Sequence, residues 1–289
     1  MKKKLLYFLY IILGGVGYLK LRYRLRTEKV LNLGEPKTFT EKLQYLKLHD
    51  RRPIYTDCAD KVGVKQRVAG ILGNEYVIPT LKVFNSSHEI QYETLPDKPV
   101  ILKTNHDSGG TEMIRDKNKV DFDQLRNRLS IKMKINFYYS NMEWEYKNIK
   151  PKVLVEPLLS DNTGNALLND YKIHCFHGKP HFIQTISDRA EGAKETWYDI
   201  DWNFLDMWYF SSQHKIVPKP DKLPQMIDIA EKLAQPFPYV RIDLYDTGDR
   251  ILFGEYTFRP WGGYMKWNDE SWDFKLGKLI DLNRLKEYA

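Results

Sequence analysis

The sequence predicts an α+β fold, and three observations carry that reading. Helical periodicity recurs in the first half of the chain, and strand-and-turn patterns dominate from Asn169 onward. Between them lies V-I-L-K-T-N-H-D-S-G-G, residues 100–110, where a short apolar strand ends in Lys103 and a polar loop closes on two glycines. Such a loop can turn backbone N–H groups toward an anion while the lysine supplies a point charge. It lacks the Walker A spacing. The 289 residues are 42% hydrophobic and 29% charged, which suits one large or two modest globular domains and excludes a disordered chain. The net charge of +7 fits an anionic ligand, an acidic polysaccharide, a membrane surface or nucleic acid. Cys58 and Cys175 have no metal-type spacing and read as reduced thiols of a cytoplasmic protein.

The first segment stands apart. Residues 5–19 carry no charge and are flanked by Lys2, Lys3 and Lys4 before and Lys20, Arg22, Arg24 and Arg26 after. As a helix this stretch spans about 22 Å, against roughly 30 Å of bilayer hydrocarbon. A signal peptide would need a cleavage site, none clearly follows, and the basic cluster after the segment is atypical of one. Two readings stay open: a helix lying in or dipping into an anionic membrane surface, and a packed N-terminal helix of the domain. Thr38 and Glu41 then form a capping-box pattern that opens a helix to Leu48. A second helix is expected over about residues 57–72, with Val64, Val68 and Leu72 at helical spacing and Gly73 at its stop. E-Y-V-I-P, closed by Pro79, and L-K-V-F read as short strands before the central one. Residues 121–136 form an amphipathic helix through Phe122, Leu125, Leu129 and Met133. P-K-V-L-V-E-P-L-L is a buried strand ending at Glu156 and Pro157, and residues 160–165 are a polar loop.

D-Y-K-I-H-C-F-H-G-K-P-H-F-I-Q reads as a hairpin turning at residues 177–180, with Asp170 and Lys172 on one face. His174, His177 and His181 do not make a compact metal set. Residues 224–235 look helical. The last strands, Y-V-R-I-D-L-Y and R-I-L-F-G-E-Y-T-F, put Arg241 and Asp243 on one face of the first, and Glu255 and Thr257 with Phe253 on one face of the second. An odd loop, Thr247-Gly248-Asp249, would set Arg241 opposite Glu255 and Asp243 diagonally beside it. An even loop would put the two carboxylates on opposite faces. In the odd register they lie roughly 5–8 Å apart, close enough to share Mg²⁺. Arg259, Pro260, Gly262 and Gly263 follow as a second place where backbone can approach an anion.

This ordered series resembles the teichuronopeptide-biosynthesis (TupA-like) ATP-grasp family over about residues 32–263, from K-T-F-T-E-K-L and D-K-V-G-V-K-Q-R-V through I-L-K-T-N-H-D-S-G-G and V-L-V-E-P-L-L to V-R-I-D-L-Y and F-G-E-Y-T-F-R-P-W-G-G. The resemblance implies an ATP-grasp fold with two α+β subdomains closing on ATP. The corresponding division is an N-terminal segment (1–30), a helical and short-strand region (31–98), a nucleotide-binding subdomain (99–159) and a metal-bearing C-terminal subdomain (160–289). By position, Lys103 resembles the phosphate-binding lysine, and Thr104, Asn105, His106, Asp107, Ser108, Gly109 and Gly110 the flap over the phosphates. Glu156, Pro157 and Leu158 resemble the adenine-holding hinge, and Lys172 a second cationic contact. Asp243 and Glu255 resemble Mg²⁺ ligands; Arg259, and Arg241 beside the metal pair, are the expected catalytic arginines. Thr257 stands where the family has asparagine and Trp261 where it commonly has glycine.

The implied activity is ATP- and Mg²⁺-dependent carboxylate–amine ligation through an acyl phosphate, in surface-polysaccharide biosynthesis, joining an amino acid or peptide to an acidic sugar or polysaccharide at the cytoplasmic face of the membrane. The alternative is a glycosyltransferase using a nucleotide sugar, for which Asp199-Ile200-Asp201 formally supplies a D-x-D pattern. A non-catalytic glycan- or membrane-binding protein on the same fold is the third class. No recognised nucleic-acid-binding motif accompanies the basic charge.

Overall fold

Two antiparallel sheets organise the chain. A computed structural model describes residues 2–160, 168, 170–187 and 192–288, with side chains from residue 5 on. The smaller sheet is built from β1 (Lys82–Phe84), β2 (Val100–Thr104), β3 (Thr111–Ile114) and β4 (Val153–Pro157), in the order β1–β4–β2–β3. The larger uses β5 (Asp170–Phe176), β6 (Lys179–Ser187), β7 (Lys194–Asp199), β8 (Phe204–Leu205), β9 (Tyr239–Asp246) and β10 (Ile251–Thr257), in the order β10–β9–β5–β6–β7–β8. Helix α5 (Phe122–Met133) lays Leu125 and Leu129 against Val100, Leu102, Val153 and Val155 of the smaller sheet. Helix α7 (Leu223–Ala234) packs Met226, Ile229 and Leu233 on Ile173, Cys175, Val240, Ile242 and Leu244 of the larger. The alternation read from the sequence therefore holds: the apolar members of β9 enter the core, and Arg241 and Asp243 face the other way. Toward one end of that second face, Phe176, Trp197 and Tyr239 meet Phe39 and Leu43 of α2 (Phe39–His49) and Leu276 of α8 (Ser271–Lys278).

Local chemistry accounts for several boundaries. The capping box before α2 is present in full: Thr38 Oγ1 accepts from Glu41 N, and the Glu41 carboxylate accepts from Thr38 N at 3.0 Å. The helix expected over 57–72 is instead two, α3 (Ile54–Ala59) and α4 (Val64–Leu72). Asp60 causes the break. Its carboxylate accepts from Val62 N and from the Asn105 amide, so it is committed to a turn and to the loop after β2 rather than to a helix face. E-Y-V-I-P is not a strand: residues Asn74–Tyr76 form a 3₁₀ turn, and Val77 makes a single bridge to Phe253. The β5–β6 hairpin turns on His177 and Gly178, both at positive φ, with Lys179 and Pro180 already paired in β6. Of the polar loop expected at 160–165, all but Ser160 lies outside the described residues.

The N-terminal helix α1 (Lys2–Thr27) breaks direction at Gly14, with φ 66° and ψ 170°. After the break Tyr18, Leu19 and Tyr23 are buried against Tyr138, Met142 and Tyr264. Before it, Leu6, Leu9 and Tyr10 touch the body while Leu5, Phe8, Ile11 and Ile12 face outward. The part after Gly14 is thus a packed helix of the domain, and the part before it packs along one side only.

The register of the last hairpin differs from expectation. Asp246 pairs with Ile251, which leaves the even connection of residues 247–250. A β-bulge between Phe253 and Glu255 then adds a residue and reverses the faces. Glu255 consequently lies directly opposite Asp243, and Thr257, not Glu255, lies opposite Arg241. Phe253 pairs with Leu244 and enters the core instead of sharing the face of Glu255. The bulge needs Gly254, because a Cβ there would meet Tyr245 Cε2 at 2.9 Å and the Asp243 carbonyl oxygen at 3.0 Å. Gly254→Val is expected to lower unfolding stability by about 1–3 kcal/mol in urea titration, from overpacking against a neighbouring backbone. An unchanged midpoint would show that the bulge tolerates a side chain.

Candidate functional site

The polar face of the larger sheet brings its charged residues into one row. Gln184 of β6, Lys172 of β5, Asp243 of β9 and Glu255 of β10 are successive cross-strand partners. The next row carries His174, Arg241 and Thr257. Asp243 is almost wholly buried and ringed by cations: Arg241 Nε donates to Oδ1 at 2.6 Å and Nη2 to Oδ2 at 2.7 Å, and Lys172 Nζ donates to Oδ2 at 2.5 Å. Burial alone would push its carboxyl up, but Arg241 and Lys172 more than offset this and hold it below the usual carboxylate range. Glu255 is freer. Its side chain is 44% exposed, 3.7 Å from Arg241 Nη2, and it accepts from Thr257 Oγ1 at 3.2 Å. Thr257 Oγ1 in turn accepts from Arg241 at 2.9 Å. The contact between Arg241 and Glu255, which the odd register would set directly opposite each other, is therefore secondary to a bidentate pair within one strand.

Facing this row, the smaller sheet and the helices before it contribute lysines. Glu156 of β4 is held between Lys103 of β2, at 2.8 Å, and Lys65 of α4, at 2.5 Å. Lys61, in the break between α3 and α4, donates to the Asp107 carbonyl. Burial lowers the pKa of Lys61, Lys65 and Lys172. All four lysines line one cavity of about 210 Å³ together with Ser108, Gly109, Glu156, Asp243 and Glu255. An adjoining cavity of about 390 Å³ shares Lys103, Thr111, Glu156 and Ile78 and is otherwise mostly apolar, with Ile101, Met113, Leu158, Leu159 and Leu168 in its wall.

Several candidates sit elsewhere than expected. Asn105 and His106 are buried away from the cavity. The Asn105 amide donates to Asp60 and to the Lys150 carbonyl, and its oxygen accepts from Lys152 N, so it ties the loop to the body. Thr104 closes β2 and its hydroxyl donates to Asp107, leaving Ser108 and Gly109 as the loop's contribution to the cavity wall. In the hinge, the Leu158 N–H is already used by the Pro99 carbonyl at 3.1 Å. Arg259 does not reach the cavity: it is buried, donates to the Phe258 carbonyl and lies over the Tyr55 ring at 5.5 Å. His174 is buried and neutral, its pKa pushed down to about 3 by burial, and bonds Tyr239. Among the described residues no cluster of three or more His, Cys, Asp or Glu side chains is arranged for a metal. Asp199 caps its own turn, accepting from Asp201 N, Asn203 N and the Asn203 amide, so the D-x-D match is a turn. Both cysteines are free and buried.

Comparison with known proteins matches residues 41–281 to the TupA-like ATP-grasp model. The chain belongs to the TupA-like ATP-grasp family. No curated protein matches its sequence. Solved structures with a similar course include D-alanine–D-alanine ligase from Bacillus anthracis complexed with ATP, 17% identical over 80% of this chain and 67% of that one, TM-score 0.45. The same ligase from Helicobacter pylori is 12% identical over 86% and 68%, TM-score 0.45. The ATP-grasp ligase PsnB, complexed with a phosphomimetic variant of its minimal precursor, Mg and ADP, is 13% identical over 80% and 60%, TM-score 0.42.

In this ATP-grasp chain, Lys61 and Lys65 are the cavity residues that sequence reading passed over. A continuous helix would have hidden them among surface positions, and the signal was Asp60 and Gly63, two residues that break helices, on either side of Lys61. The ion pairs also set a pH dependence. Glu156 is held low: burial opposes this, and Lys103 and Lys65 more than offset it. A depressed folded pKa contributes stability above the unfolded value of about 4.3 that is lost as pH falls through the folded value. Glu156→Gln should therefore flatten the decline of unfolding free energy below about pH 4.5, measured by denaturant titration at several pH values. A slope equal to the wild type's would mean that these lysines leave the carboxylate unperturbed.

Proposed function

We propose that this protein is an ATP- and Mg²⁺-dependent carboxylate–amine ligase. One observation carries the reading: four lysines and four carboxylates, among them the opposed pair Asp243 and Glu255, line a single cavity that adjoins a mostly apolar one. A triphosphate needs several cations, a purine needs an apolar slot, and Mg²⁺ is ordinarily held by one or two carboxylates with phosphate oxygens completing its shell. The donor set fits. Asp243 and Glu255 would hold the metal, with Thr257 supporting Glu255 and Arg241 fixing Asp243. Lys103, Lys61 and Lys65 would bind phosphates, and Ser108 and Gly109 would cover them. Ile101, Met113 and Leu158 would wall the base, and Lys172 would balance charge beside Asp243. Mg²⁺ supplies charge neutralisation of the triphosphate.

The chemistry is positional. A substrate carboxylate oxygen attacks the γ-phosphorus, ADP leaves, and an acyl phosphate remains. An amine then attacks its carbonyl carbon, phosphate leaves, and an amide is formed. The basic charge and aromatic content favour an acidic sugar as one substrate and an amino acid or peptide as the other, in surface-polysaccharide assembly. Mg²⁺-dependent ATP binding by calorimetry should weaken at least tenfold in Lys103→Ala, and Glu255→Gln should remove the Mg²⁺ dependence. Binding of a UDP-sugar with none of ATP would replace this reading by the glycosyltransferase.

The N-terminal helix supports work at a membrane surface. Its first half is apolar on every side, one face packed on the body and the other bare through Leu5, Phe8, Ile11 and Ile12, and Lys20, Arg24 and Arg26 beyond it are exposed. That combination suits an anionic lipid interface, where a short apolar stretch lies in the plane of the headgroups. The full chain should pellet with phosphatidylglycerol vesicles, less with phosphatidylcholine or in high salt, and Phe8→Ser with Ile12→Ser should abolish pelleting. Failure to pellet would overturn this, and concentration-dependent dimers lost in the same variant would assign the face to a second copy.

A further inference from the structure

Past the carboxylate row an aromatic side chain is held in a strained backbone. Trp261 has φ 51° and ψ 26°, in the left-handed region that L side chains other than Asn and Asp seldom adopt. Gly262 and Gly263 continue in the same region at φ 64° and 72°, where glycine carries no penalty. The turn is pinned from beneath. The buried Lys47 ammonium donates to the Gly262 carbonyl at 2.6 Å, and the buried Gln44 amide donates to the Gly263 carbonyl at 2.6 Å. Strain of this kind persists only where surrounding structure over-determines it, and it concentrates at working sites.

What the strain secures is an exposed ring. The Trp261 side chain is 51% exposed and leans on Phe210, itself 43% exposed, with ring centroids 5.5 Å apart and planes at 45°. Phe210 is fixed as firmly. The fully buried Glu195 carboxylate accepts from the backbone N–H groups of Phe210 at 2.8 Å and Ser211 at 3.0 Å. One ring further in, Tyr209 stands 6.0 Å from Trp261, and its hydroxyl accepts from Gln184, the residue that pairs with Lys172 in the row ending at Asp243 and Glu255. The aromatic shelf therefore meets the charged row at its Gln184 end, beside Lys172, and shares no lining residue with the base pocket.

We propose that Trp261 and Phe210 form a saccharide platform, on which the C–H face of a uronic-acid ring stacks so that its carboxylate points toward the Lys172 end of the charged row. Pyranose C–H groups are weakly positive and seat on the negative face of an aromatic ring, and two tilted rings cradle a chair better than they hold a flat group. The proposal deepens the ligase reading and rests on it for the substrate's acidity. It makes a pair of demands that a core tryptophan does not. Removing the ring must spare the fold, because glycine relieves the left-handed strain while adding freedom to the unfolded chain, two effects of similar size and opposite sign. It must also cost saccharide binding.

The test uses the full chain, oligogalacturonate as probe, and fluorescence titration alongside calorimetry with Mg²⁺–ATP. Trp261→Gly should keep its Tm within about 3 °C of wild type, keep ATP affinity within twofold, and lose oligogalacturonate affinity at least tenfold. Phe210→Ala should lose several-fold, and Trp261→Phe should retain most of the affinity. Neutral malto-oligosaccharides should bind more weakly than the uronide. A Trp261→Gly protein that binds the uronide normally overturns the platform, as does a wild type that binds ATP but no saccharide. Uptake of an aromatic peptide in place of any sugar would assign the shelf to a peptide substrate. Loss of ATP binding in the wild type would sink the ligase reading separately.

Discussion

The bidentate pair between Arg241 and Asp243 is the constraint on which the site rests. Both groups are buried on a sheet face that is otherwise closing into a core, and an isolated charge there would be costly. Paired, they are neutral, and Lys172 from the neighbouring strand donates to the same carboxylate while lying 3.6 Å from Asp170. Removing one partner of such a set ordinarily costs about 3–5 kcal/mol because the other charge is stranded. The arrangement therefore keeps a carboxylate ionised deep in the molecule and holds it on a rigid strand. Glu255, held less tightly, is the member with room to exchange its neighbours for a cation.

The opposite wall follows a different logic. Its lysines come from three elements, β2, the α3–α4 break and α4; Lys103 and Lys65 share a single internal carboxylate, Glu156, and Lys61 donates to the Asp107 carbonyl. On that wall three lysines face one carboxylate, and burial disfavours the Lys61 and Lys65 ammoniums. A polyanion would relieve that imbalance. The same pairing of rigid support with local imbalance recurs at Trp261, where buried Lys47 and Gln44 hold a turn that the tryptophan by itself would not choose.

Much of this was legible in the chain. The capping box at Thr38 and Glu41, the apolar faces of β9 and α7 and the strand from Val100 that carries Lys103 follow from local periodicity, and the structure contains them, the strand running one residue further to Thr104. What was not legible depended on one residue's worth of register or one residue's choice of partner. The hairpin loop is even, and only the Gly254 bulge brings Glu255 to the face of Asp243. A glycine in a strand signals that something departs from regular pairing, but not which way. Arg259, expected among the catalytic arginines, turns inward, because the geometry of the turn after it and the Tyr55 ring decide where its guanidinium goes. Asn105 likewise became a strut once Asp60 had broken its helix.

The sequence by itself determined which residues could be charged, which faces of each strand would be apolar, and the order in which lysine, carboxylates and glycine-rich turns arrive, since these depend on side-chain chemistry and periods of 2 and 3.6. Tertiary structure decided which of those charges meet. Lys61 and Lys65 join Lys103 only because a helix breaks, and Glu255 joins Asp243 only because a strand bulges. Such pairings are contacts between residues far apart in the chain, and they are selected by the requirement that every buried charge find a partner at once, a condition no local window of sequence contains.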